Sequence, residues 1–318
     1  VAKKCISKIL WPVDPYELES AIQKSAAEAL NGFLAASQAE LEPVYILNPR
    51  QLDLGLDAPE QWLEQYRPVA EGALKSFLEG RVVSSLSGNP WKFKVLVQAS
   101  ASNSAAVKTL NHHVNATGAE MIFLGTHGRK GMPRLFLGSF AETLLLESKI
   151  PVLVVNSKTK SVAHYDHILF ATDLSRTSWN GFRKTLALAS QLGSRVTIFH
   201  SIQNPSKSSF HGESLMGATW IPMPAFVEEE LIARRKVAER WLKTGLKMGV
   251  AVDIDLELTH QGIVPAILDA ADRYKTSIIA MTAQSGPLAS AVMGSVTRQI
   301  VREATKPIWV VRASSAKG

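Results

Sequence analysis

Cysteine is almost missing from this chain: 318 residues carry one, Cys5. A single thiol excludes an internal disulfide and fits a reducing compartment. No apolar run approaches the roughly 18–20 residues that a membrane helix needs. The stretch Val1-Ala2-Lys3-Lys4-Cys5-Ile6-Ser7 has no apolar signal core followed by a small-residue cleavage site. The expectation is a cytoplasmic protein that does not engage a membrane. Basic residues never run five or six together, although the net charge is +7, so a nucleic-acid-binding tail is not expected. Lys and Arg outnumber Asp and Glu by 17 to 15 in residues 1–160 and by 18 to 13 in residues 161–318. The chain also lacks the G-x-x-x-x-G-K-[ST] loop and the dinucleotide G-x-G-x-x-G.

What is present is enough apolar material for two cores, with 46% hydrophobic and 20% charged residues. Strands are expected at Lys8 to Asp14, Pro43 to Leu47, Phe93 to Val97, Met121 to Leu124 and Val152 to Val155. Helical patterns separate them: Glu17 to Gln38, a helix carrying Trp62, Tyr66, Val69, Ala73, Phe77 and Leu78, residues Ser104 to Ala116, and Phe140 to Leu146. Strands alternating with helices mean βαβ units and a parallel sheet, and runs apolar on both faces mean helices on both sides. Asn156 to Ala163 is small and polar and reads as a linker.

After it the pattern begins again. Ile168 to Asp173 repeats Ile9 to Asp14, Gly294-Ser295 repeats Gly138-Ser139, and Pro307 to Val311 repeats Pro151 to Val155, at offsets of 159, 156 and 156 residues. Three landmarks in one order at nearly one offset indicate a tandem duplication, with domains expected at 1–157 and 164–318. Val252 to Leu258 alternates apolar and acidic residues, the pattern of a strand with one wet face at a sheet edge. Phe226 to Lys247 reads as a long helix. Glu230 and Arg234 on it form an i,i+4 pair. Residues 203–225 form a long connection that reads either as a surface loop or as a lid or partner contact.

The stretch from Gly125 to Ser139 carries the chemistry. Gly125, Gly128, Gly131 and Gly138 lie between an expected strand and an expected helix. Backbone N–H groups and a helix dipole favour phosphate at such a junction. Glycine permits positive φ and close approach of a ligand. Ser139 suits an N-cap, and Arg129, Lys130 and Arg134 add positive charge. His127 reads either as a donor to phosphate or as a cap of the loop. A triad drawn from Asp14, His127 and Ser139 is the weaker reading of the same residues. His112 and His113 are adjacent and chelate poorly, and His164 and His167 sit at a linker-to-strand junction, so no metal site is expected.

Gly125-x-x-Gly128, nine residues, and then Gly138-Ser139 resembles the glycine signature of the universal stress protein family. The strand-end Asp14 and the closing Pro151 to Val155 resemble that family too, as do Asp173, Ser175, Gly294, Ser295 and Pro307 to Val311 in the second half. The resemblance implies an α/β fold of two tandem doubly wound domains, each a five-stranded parallel sheet of order 3-2-1-4-5 with helices on both faces. It implies an internal pseudo-dimer through the fifth strands, 152–155 against 308–311, with a homodimer and an unnamed protein partner left open. It implies ATP or AMP as the ligand, with or without magnesium. Pro12, Val13 and Asp14 would meet the adenosine. Gly125, His127, Gly128, Arg129, Gly138, Ser139 and the Phe140 N–H would line the phosphates. Counting back from Gly294 puts Met281 and Gln284 where the signature glycines belong, so the second site is expected to be degenerate. The implied role is a regulatory binding module in a stress response. Slow ATP hydrolysis or phosphoryl transfer at the same site, and a scaffold that binds no nucleotide, are the alternatives.

Overall fold

A computed structural model describes residues 6–16, 21–52, 54, 56–79, 92–126, 138–160, 162, 164–203, 223–283 and 294–312. The first half runs β1 (Lys8–Pro12), α1 (Ala21–Ser37), β2 (Glu40–Leu47), α2 (Glu60–Glu64), α3 (Arg67–Leu78), β3 (Lys94–Val97), α4 (Asn103–Thr117), β4 (Met121–Gly125), α5 (Ser139–Glu147) and β5 (Val152–Val155). The second half repeats the series as β6 (His167–Ala171), α6 (Arg176–Leu192), β7 (Arg195–Gln203), α7 (Met223–Lys247), β8 (Val252–Thr259), α8 (Ile263–Arg273), β9 (Ile278–Thr282), α9 (Ser295–Glu303) and β10 (Ile308–Val311). No helix among the described residues is long and apolar enough to cross a membrane.

The strands join into one ten-stranded sheet of order β3-β2-β1-β4-β5-β10-β9-β6-β7-β8. Each half therefore has the expected 3-2-1-4-5 order. Pairing is parallel within each half and antiparallel at the seam, where Ile308, Trp309 and Val310 face Val154, Leu153 and Val152. The seam is the pairing of 152–155 with 308–311 that the resemblance implied. The acidic, alternating strand β8 lies at one end of the order, as its wet face required.

Successive strand residues alternate between two cores, the period-2 consequence of the pleat. Ile9, Trp11, Leu153, Val155, Trp309 and Val311 enter one core, with Phe33 of α1, Phe77 of α3, Phe182 of α6 and Trp241 of α7. Leu10, Val152, Val154, Ile308 and Val310 enter the other, with Leu110 of α4, Leu144 of α5, Ile267 of α8 and Ile300 of α9. Both cores run across the seam. Polar contacts reinforce it on each face. Gln191 of α6 accepts from the Ile6 N–H and donates to the Ile6 and Ser37 carbonyls, each at 2.8 Å. The Tyr165 hydroxyl donates to the Ala29 carbonyl at 3.0 Å. Opposite, Arg298 pairs with Glu142 at 2.9 Å.

One expectation gains detail and another needs correction. The segment read as a linker is docked where it is described. Asn156 is buried, its Nδ2 donates to the Val301 and Ala304 carbonyls at 2.7 and 3.0 Å, and the Lys160 N–H reaches the Thr305 carbonyl at 2.9 Å. The single helix expected over Trp62 to Leu78 is two helices, broken at Gln65-Tyr66. Pro68 stands in the first turn of α3, where its missing N–H costs nothing. Leu63, Ala70, Leu74, Phe77 and Leu78 are buried there, whereas Trp62, Tyr66 and Val69 are exposed. The connection at 204–222 lies outside the described residues.

Candidate functional site

The site follows from how β1 and β4 part. They are adjacent and parallel, with Leu10 facing Ile122. Past their ends the main chains turn to opposite neighbours. The Val13 N–H donates to the Val44 carbonyl of β2 at 3.0 Å, while the Thr126 N–H donates to the Val155 carbonyl of β5 at 2.8 Å. The chain leaves the sheet in two directions at its carboxyl edge, which opens a crevice of the kind where parallel sheets hold ligands. Pro12, Val13 and Asp14 form one lip; Gly125 and Thr126 form the other.

On the first lip, Asp14 Oδ1 accepts the Tyr16 N–H at 3.0 Å, a local turn that aims the carboxylate. The Tyr16 ring meets the edge of Tyr45 with centroids 5.8 Å apart. Burial and then the Asp14 charge push both phenols above their usual range, Tyr45 also through Tyr16. Tyr45 is almost fully buried, and its hydroxyl has no partner among the described residues. Tyr16, with Tyr45 buried behind it, and the Asp14 carboxylate thus stand on one side of the crevice.

Beyond the second lip stands α5. Its N-cap is Gly138, with φ −53°, and Ser139 is its first helical residue, so the expected serine cap is displaced by one position. Gly138 has no side chain to cap with. The first intrahelical bond runs from the Glu142 N–H to the Gly138 carbonyl at 3.0 Å. The N–H groups of Ser139, Phe140 and Ala141 precede it and have no acceptor within the helix. At this negative φ, Gly138 is not required for its backbone conformation.

Neighbouring groups that the sequence did not single out converge on the same end. Asn103, the first residue of α4, donates from Nδ2 to Ser139 Oγ at 2.7 Å, and Arg50 Nη1 reaches Asn103 Oδ1 at 3.4 Å. Asn48 Oδ1 holds the Arg50 N–H at 3.0 Å. Two helix N-termini and a guanidinium therefore meet near Ser139. His127, Gly128 and Arg129, with Lys130, Gly131 and Arg134, lie outside the described residues.

The second half is built differently at the matching places. Sheet register pairs Gly125 with Val155 and Thr282 with Val311. Thr282, not Met281, therefore occupies the position of Gly125. Counting back from Gly294 failed because the segment from Ala283 to Gly294 is one residue shorter than that from Thr126 to Gly138. Thr282 Oγ1 is buried without a partner, and a Cβ on Gly181 would stand 2.5 Å from it. Asp173 repeats the local turn of Asp14 with the Ser175 N–H at 3.0 Å, and also accepts from Ser178 Oγ at 2.5 Å. Burial opposes its ionisation, but these hydrogen bonds prevail and hold its pKa below the usual range. His200 stands at the place of Tyr45, with Nδ1 2.8 Å from the Thr172 carbonyl, and burial lowers its pKa. Arg234 donates to the Asp173 carbonyl at 2.9 Å. Ser175, Ser178 and Arg234 thus surround Asp173 with hydrogen-bond donors. Among the described residues no cluster of metal-binding side chains occurs.

The model of the universal stress protein family matches residues 6–156 and 164–312. A comparison with curated proteins returns no match. Among solved structures, a universal stress protein from Archaeoglobus fulgidus DSM 4304 is 17% identical, with 98% of this chain and 97% of that one covered and a TM-score of 0.58. A functionally unknown protein from Pseudomonas aeruginosa PAO1 is 13% identical, with 98% and 94% covered and a TM-score of 0.56. At these identities the similarity is one of fold, and it extends over both halves.

Proposed function

The chain belongs to the universal stress protein family, and from that membership we propose that its first half binds one adenine nucleotide, ATP or AMP, as a regulatory module in a stress response. The observation that carries this reading is the crevice between β1 and β4, with a carboxylate and two tyrosines on one side and open helix N-termini on the other. Asp14 would accept a hydrogen bond from a ribose hydroxyl, a charge-assisted contact of about 1.5–3 kcal/mol. Tyr16, backed by the buried Tyr45, would give the base an apolar flank. The amides at the start of α5 that have no acceptor within the helix, with Ser139 and Arg50 nearby, suit a phosphate. Gly125, Gly138 and the Phe140 N–H belong to this end of the site, together with His127, Gly128 and Arg129 from the loop. Magnesium, if it accompanies ATP, would be held chiefly by the phosphates.

In the second half, Arg234, His200 and the Asp173–Ser178 bond take up the groups a nucleoside would need. One site per chain follows. Calorimetric titration with ATP and with AMP should give a stoichiometry of one. Gly138→Val, which puts a branched side chain where the phosphate would lie, should abolish binding, and Asp14→Ala should weaken it about tenfold or more. Saturating ligand at a hundred times Kd should stabilise the fold by about 2.7 kcal/mol. Two equal sites, or binding indifferent to Gly138→Val, would overturn the reading.

A further inference from the structure

A surface cleft of about 410 Å³ opens where β5 meets β10, on the face of the sheet covered by α4 and α5. It lies at the opposite edge of the sheet from Asp14. Its volume falls within the roughly 300–1,000 Å³ typical of small-molecule sites. Lys108 and His112, one turn apart on α4, border it, together with Lys149 before β5 and Arg312 after β10. Arg312 arrives there because β10 runs antiparallel to β5: Val310 faces Val152, so a residue two further on lies beside Ile150 and Lys149. The cleft therefore depends on both halves of the chain. Glu147 is the one acid in its lining, and Glu147 Oε1 already accepts from Ser104 Oγ at 3.0 Å.

A basic surface alone would be only a solvated patch. Asn111, which also lines the cleft, adds an independent observation. Its residue is 7% exposed, and its Nδ2 donates to the Glu147 carbonyl at 3.1 Å, capping the end of α5. Since a carbonyl oxygen cannot donate, that contact fixes which end of the amide is which. The remaining atom, Oδ1, is buried and accepts nothing among the described residues. Capping α5 explains the amide nitrogen and leaves the oxygen unexplained. An acceptor in this state lacks a donor at the rim of a cationic cleft.

We propose that the cleft binds a small phosphomonoester that also carries a hydroxyl, of the size of a pentose phosphate. The phosphate would lie among Lys108, Lys149 and Arg312, and the hydroxyl would donate to Asn111 Oδ1. Free phosphate offers the first interaction with a poorer reach for the second, which makes the pair of ligands diagnostic.

Calorimetric titration of the full chain with ribose 5-phosphate and with inorganic phosphate tests this. Ribose 5-phosphate should bind once per chain, about tenfold tighter than phosphate. Lys108→Ala combined with Arg312→Ala removes two exposed side chains from the surface and should weaken ribose 5-phosphate at least tenfold. Gly138→Val, at the other edge of the sheet, should leave it unchanged. Asn111→Leu should erase the preference for ribose 5-phosphate over phosphate. Should that variant fail to fold, the double alanine variant still decides. Absence of saturable binding, equal affinity for the two ligands, or indifference to the double variant would overturn the proposal. So would loss of binding in Gly138→Val, which would move the ligand to the crevice at β1 and β4.

Discussion

Glu42 on β2 lies between Lys8 of β1 and His113 of α4, whose Nε2 is 2.6 Å from its Oε1. Burial works against its charge, but the hydrogen bonds from His113 and Lys8 prevail and bring its pKa to about 2. A carboxyl whose folded pKa is depressed contributes stability above its unfolded value near 4.5, and that stability is lost as pH falls towards 2. The contribution is at most about 3 kcal/mol at neutral pH. Glu42→Gln should therefore lower stability at pH 7 and flatten its decline between pH 4.5 and 2, as chemical denaturation across that range would reveal; an unchanged slope would refute it. Tyr45 gives a second expectation. Its buried hydroxyl has no partner among the described residues, so Tyr45→Phe should leave the ligand-free protein within about 0.5 kcal/mol of the parent or stabilise it, by thermal melting. A loss above 1 kcal/mol would mean that the hydroxyl has a partner after all. Neither residue stands out in the sequence. Their roles arise from β1, β2 and α4 meeting, which no local pattern records.

Elements were legible where the pattern itself states the environment. Strand β8 was read as an edge because Asp253, Asp255 and Glu257 alternate with apolar residues, and an edge strand needs one wet face. The seam was expected from the family resemblance, which the repeated closing strands 152–155 and 308–311 carried into one chain. The helix pair α2 and α3 was not, because Trp62, Tyr66 and Val69 keep helical spacing yet face outward, while Pro68 restarts the helix between the two pieces. The glycine comparison slipped by one residue because a shortened loop is invisible until β9 and β10 fix the register. Asn103, which reaches Ser139, and Arg50, which reaches Asn103, were missed because they come from other elements. The seam itself carries a stability prediction. Trp309 is nearly fully buried opposite Leu153, so Trp309→Ala should cost about 3–5 kcal/mol in denaturant titration. Val69→Thr, on the exposed face of α3, should cost less than about 0.5 kcal/mol. Equal costs at the two positions would contradict the burial on which the seam rests.

The whole molecule is a duplication whose two halves form one body, and the shared sheet supplies the means. Each core passes across the seam without a break, so neither half can expose its seam strand without uncovering apolar surface in the other. Gln191 ties α6 to Ile6 and Ser37 on one face. Asn156 ties the connection between the halves to Val301 and Ala304. Differential scanning calorimetry should accordingly give one transition, with calorimetric and van't Hoff enthalpies equal. Removing the Asn156 amide by Asn156→Ala leaves two carbonyls without their donor and should cost about 1–3 kcal/mol while preserving the single transition. A nucleotide bound in the first half should then raise the midpoint for the entire chain, because the second half cannot melt separately. Two transitions, with only the first moved by ATP, would mean that the halves are thermodynamically separate and that the seam is a contact between independent domains.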